Sequence, residues 1–127
     1  KSHQHISPNM RAYICVSAGY RGLEFNYLVG QNNCGCELYI DRGKDSQEEN
    51  KMIFDKLQTQ ENIINEKIDY PLSWQKLDNK RASRIRIDLE GGYKSPEDDW
   101  SCFHGNMIDA MNQLEAAIKP ELKKLKI

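Results

Sequence analysis

Five basic side chains, Lys76, Lys80, Arg81, Arg84 and Arg86, fall within residues 76–86, opposed in that stretch by Asp78 alone. An arginine fork can hold two oxygens of one phosphate, so the chemistry on offer is anion binding. If the run continues as a strand, alternation sets Lys80, Arg84 and Arg86 on one outward side. Tyr39 and Tyr13 point outward from neighbouring strands and are placed to interleave as stacking groups. Glu37, Asp41 and Glu24 share that face. Cross-strand pairing of Arg84 and Arg86 with those acids would turn the same residues into an ordinary solvated surface. The residues expected to bind nucleic acid or a partner are therefore Lys80, Arg84, Arg86, Tyr39 and Glu37.

Catalytic constellations are weaker. A restriction-endonuclease-type centre needs an acid on the second strand of a meander and Glu-x-Lys on the third, holding a divalent metal and assisting the attacking water. The third strand here carries Glu37-Leu38-Tyr39, with tyrosine in the lysine position, and the second offers only Glu24. Cys34-Gly35-Cys36 together with Cys102-Phe103-His104 suggests zinc, yet Cys102 and His104 are two apart on an expected helix and face nearly opposite ways. His3-Gln4-His5 reads as two solvated histidines at a frayed start. His104 has no serine or cysteine in a relation that makes a nucleophile pair. Gly91-Gly92 is a turn, since neither GxxxxGK nor GxGxxG follows a strand. No catalytic residue, metal or other cofactor is expected in this stretch of chain.

These side chains need a scaffold, and 127 residues with 39% hydrophobic and 29% charged content suffice for one domain with a single core. A formal net charge of −1 excludes a polyanion binder driven by bulk charge but leaves room for a local basic face. No apolar run approaches membrane-spanning length. Four cysteines without a CxxC pair fit reduced thiols, and hence a cytoplasmic location. The chain opens on Lys1 without an apolar leader, so it is expected to be a domain excised from a longer protein.

Residues 1–10 are expected to be a flexible lead-in, and 11–127 a single domain. Ala12, Ile14 and Val16 alternate with Tyr13, Cys15 and Ser17, and Ala18-Gly19-Tyr20-Arg21-Gly22 supplies a turn. Leu23, Phe25, Tyr27 and Val29 form a second inward set, and Cys36, Leu38 and Ile40 a third, giving an antiparallel meander with one greasy and one polar face. Asp45-Ser46-Gln47-Glu48 is a capping-box start for one helix, with Ile53, Phe54, Leu57, Ile64 and Ile68 on its apolar side, ending before Pro71. Ser73–Leu77 is a short strand whose Trp74 anchors the sheet edge. Asp78-Asn79 begins the turn into the strand with Ser83, Ile85, Ile87 and Leu89 inward. Ser95-Pro96-Glu97-Asp98 starts a final helix with Trp100, Phe103, Met107, Met111, Leu114 and Ile118 at spacings of three and four, ended or kinked by Pro120. The expected fold is α+β, in the order β-β-β-α-β-β-α, with helices on one face of an antiparallel sheet of a three-stranded meander plus two further strands.

Cys36-Glu37-Leu38-Tyr39-Ile40, Phe54-Asp55-Lys56-Leu57, Ile63-Ile64-Asn65-Glu66-Lys67, Leu72-Ser73-Trp74-Gln75-Lys76-Leu77 and Lys80-Arg81-Ala82-Ser83-Arg84-Ile85, followed by the Trp100 helix, together resemble the prokaryotic domain of unknown function 4268 over roughly residues 11–122. The resemblance implies a C-terminal module, often behind a nuclease-like N-terminal region or near restriction and defence genes. That family has no established catalytic residues to carry over, and its opening helical segment would precede Lys1. The expected function is thus a non-catalytic accessory module binding DNA or a partner domain. The alternatives are a dimerisation or protein-interaction module and a degenerate metal-dependent nuclease domain.

Overall fold

The computed structural model describes residues 15–29, 33–90, 100–125 and 127. The expectations for residues 1–10, for Tyr13 and for the Ser95–Asp98 helix start lie outside these residues, as do the side chains of Trp100, Cys102, Phe103 and His104. The described chain is α+β, with strands β1 (Cys15–Tyr20), β2 (Leu23–Val29), β3 (Asn33–Ile40), β4 (Ser73–Gln75) and β5 (Ser83–Glu90), and helices α1 (Gln47–Gln58), α2 (Glu61–Glu66) and α3 (Trp100–Leu125). The strands form one antiparallel sheet in the order β1-β2-β3-β5-β4. The last two strands therefore enter in reverse, with β5 beside the meander and short β4 at the edge. No described helix is long and apolar enough to cross a membrane.

Period-two alternation places Leu23, Phe25, Tyr27 and Val29 of β2, Leu38 and Ile40 of β3, and Ile85 and Ile87 of β5 in one buried layer. Ile53, Phe54 and Leu57 of α1, Ile64 of α2 and Met107, Met111, Leu114 and Ile118 of α3 close over it. Trp74 packs at the rim of this core, edge-on to Phe54 with ring centroids 5.9 Å apart. Cys34 and Cys36 are buried inside the layer, and burial pushes the Cys36 thiol up to about 12.

Several local expectations are corrected. β1 runs through Ala18 and Gly19 to Tyr20, leaving Arg21-Gly22 as the turn, because a register shift between Ser17 and Tyr20 absorbs the extra residues. The single helix over 45–68 is two. Thr59 Oγ1 donates to the Lys56 carbonyl and the Gln60 N–H bonds the Leu57 carbonyl, which tightens the end of α1 before α2 resumes the apolar stripe. Ser46 sits at the N-cap but makes no side-chain cap; its hydroxyl donates to the Gly43 carbonyl instead. Pro120 does not end α3, which continues to Leu125 with Leu122 fully buried.

The second sheet face is also less open than a polar outer surface would be. Asn26 is 7% exposed and Glu37 3%, although both lie on the side away from the apolar layer. Register stacks this face in rows: Ser17, Glu24, Tyr39, Arg84 and Gln75 in one, and Asn26, Glu37, Arg86 and Ser73 in the next.

Candidate functional site

At the end of the sheet where β3 leaves and β5 begins, Tyr39, Asp41, Leu77, Lys80, Arg81, Ala82 and Arg84 line an open groove of about 340 Å³. One wall is β3 and its exit, which supplies Tyr39 and Asp41. The other is the connection from β4 to β5, which supplies Lys80 and Arg81. Arg84 lies on the floor, directly across from Tyr39 in the β3–β5 ladder. Three of the residues singled out by type, Tyr39, Lys80 and Arg84, thus come together.

Lys80 reaches this place differently from the alternation argument. β5 begins only at Ser83, and Lys80 belongs to the turn, its N–H bonded to the Leu77 carbonyl at 2.8 Å. Its side chain is exposed and makes no ion pair among the described residues.

The arginines are held in place by fixed partners. Arg84 Nε donates to Gln75 Oε1 at 2.7 Å, and its Nη1 lies 3.6 Å from Glu37 Oε1. Glu37 in turn accepts from Asn26 Nδ2 at 3.1 Å. Glu37 is therefore a buried support behind Arg84 and not part of the groove lining. Arg86 stands one row away, with its Nε donating to Asp88 at 2.7 Å, and it does not line the groove. The cross-strand partner foreseen for the arginines is realised only between Arg84 and Glu37.

Arg81 and Asp41 form a pair that strand alternation did not reveal. Nε and Nη2 of Arg81 each donate to one carboxylate oxygen at 2.8 Å. Such paired bonds are the strong form of the interaction. The Arg81 guanidinium holds the Asp41 carboxyl below its usual range, with the Gly43 N–H and Asn50 amide adding to it and burial opposing. Tyr39 shifts the other way: burial, then Asp41 and Glu37, raise its hydroxyl pKa, so the ring presents a neutral phenol at neutral pH.

The lowered pKa of Asp41 sets a sign. Its contribution to folding is complete above the ordinary carboxylate pKa of about 4 and is lost as acidification proceeds through its depressed folded value. The denaturation midpoint of the natural chain is expected to fall more steeply than that of Asp41→Asn between about pH 5 and about pH 3. Parallel pH profiles would show that the pair contributes nothing.

The wall carrying Lys80 and Arg81 is fastened from beneath by α1. The three N–H donors of Lys51 Nζ are shared among four acceptors, the carbonyls of Lys76, Leu77 and Ala82 and the Ser83 hydroxyl, at 2.5, 2.8, 2.7 and 3.0 Å. Asn50 donates to the Arg81 carbonyl, Gln47 to the Asp78 carbonyl, and Asp55 pairs with Lys76. None of these α1 residues stood out by type. The available signal was the polar stripe Gln47, Lys51 and Asp55 at steps of four, beside the apolar one.

Among the described residues, no three of His, Cys, Asp and Glu gather as a set able to hold a metal. The arrangement can bind an anion beside an aromatic ring. A family model described as Domain of unknown function (DUF4268) matches residues 1–122. No curated protein and no solved structure matches the chain.

Proposed function

We propose, since the chain belongs to the DUF4268 family, that it serves as a non-catalytic accessory module of a bacterial, cytoplasmic restriction- or defence-type protein, and that it offers the Tyr39–Lys80–Arg84 groove to nucleic acid. The observation that carries this reading is the convergence of a lysine with no ion pair among the described residues, a braced arginine and a half-buried tyrosine on one open depression. A braced guanidinium loses little further freedom on meeting a phosphate, while an unpaired ammonium brings its full charge.

The test is a binding titration against salt. Lys80→Ala combined with Arg84→Ala is expected to weaken binding and to reduce the slope of log affinity against log salt by roughly 0.7–0.9 for each phosphate contact removed. Arg86→Ala should change the slope less, because its Nε is committed to Asp88. An unchanged slope in the double variant would sink the reading.

A further inference from the structure

Resting on that reading, we infer that the groove takes single-stranded nucleic acid in preference to a duplex, with one base stacked on Tyr39 and its phosphate at Lys80 and Arg84. Three observations support this. The first is shape. Duplex DNA is read by helices or ribbons that project into a major groove about 12 Å wide, or by arms entering the minor groove. Here the candidate residues line a depression of about 340 Å³, at the small end of ligand sites, which suits one nucleotide unit.

The second is the surrounding charge. A duplex is held by several phosphate contacts along two strands. Yet Lys76 is paired with Asp55, Arg81 with Asp41 and Arg86 with Asp88. Arg84 also has an acid at hand, its Nη1 lying 3.6 Å from Glu37 Oε1, so the neighbourhood offers Lys80, beside a partly engaged Arg84, as a local point of attraction, and not a basic track. The third is Tyr39, whose neutral ring lies across the ladder from Arg84. An unpaired base can leave its stack to meet an aromatic ring, whereas a base inside a duplex keeps both of its neighbours.

The experiment is fluorescence anisotropy of the whole 127-residue chain with a labelled oligo-thymidine strand and with a blunt duplex of equal length. The single strand is expected to bind at least about tenfold more tightly. Tyr39→Leu, which keeps apolar bulk but removes the ring, should lose roughly 5- to 150-fold in affinity for the single strand, and Tyr39→Phe should retain it. Circular dichroism melts confirm that each variant is folded. Equal or tighter duplex binding, or a Tyr39→Leu variant that binds the single strand as the natural chain does, overturns the inference and leaves nucleic-acid binding standing. If neither oligonucleotide binds, nucleic-acid binding itself fails.

Discussion

Replacing Gly35 with alanine is expected to remove on the order of 3 kcal/mol or more of folding stability. A Cβ at this position would lie 2.2 Å from the Ile87 carbonyl oxygen and 3.3 Å from its carbon, both backbone atoms. Ordinary contact begins near 3.4 Å, so the strands themselves would have to part. They have nowhere to go: β3 is bounded by β2 on one side and β5 on the other. Opening the ladder at Gly35 and Asp88 strains the neighbouring pairs, Cys34 with Leu89 and Cys36 with Ile87, where both thiols are buried. Each ladder bond lost adds about 1 kcal/mol to the overpacking cost. For a domain with about 5–15 kcal/mol in all, that is a large share.

The control is Gly19→Ala. Gly19 has φ +92, but its Cβ would meet nothing within 4 Å. It isolates the backbone term, about 1 kcal/mol. Urea midpoints for the two variants check the claim, and equal midpoints would show that the β3–β5 contact yields easily.

The contrast between these glycines reflects what could be read from residue order. Period-two patterns in Phe25 and Tyr27, Leu38 and Ile40, and Ile85 and Ile87 were legible because burying one face fixes the phase of each strand. The 3.6-residue stripe of Ile53, Leu57 and Ile64 was legible for the same reason. Gly35 looks like any glycine between two strand residues, since the carbonyl it must admit comes from residue 87. The partnership of β3 with β5 is equally non-local. It sets Arg84 opposite Tyr39 and Arg86 opposite Glu37, in different rows, although alternation treats the two arginines alike. Asp41 finds Arg81 because both lie beyond strand ends, where alternation no longer governs. The groove was visible as a set of residue types and hidden as a geometry.

Lys51→Met is the variant expected to separate those two levels. The ammonium converges on three carbonyls and a hydroxyl, all within 3.0 Å, and the Ser83 hydroxyl itself donates to the Lys76 carbonyl. Methionine keeps the apolar stem but supplies no donor. The oxygens are then left facing one another in a part-buried setting, at a cost of about 2–4 kcal/mol. Arginine is a poor substitute, because its planar fork cannot gather donors around one point as the three N–H groups of an ammonium do. The contacts also hold Leu77 at φ +57, a conformation that costs a leucine roughly 1–2 kcal/mol. Without Lys51 that residue relaxes, and Lys80 and Arg81 move with it. The effect on the groove should therefore exceed the loss of stability. Hydrogen exchange at the Lys80 N–H, which bonds the Leu77 carbonyl, should accelerate in conditions where the variant remains folded. Affinity for nucleic acid should fall even though Lys51 donates inward to the loop. Lys76→Met, which breaks an exposed pair with Asp55, should cost less than about 1 kcal/mol and leave that amide protected. Equal stability and equal exchange in the two variants would mean that the loop holds its shape without Lys51, and that the groove owes nothing to α1.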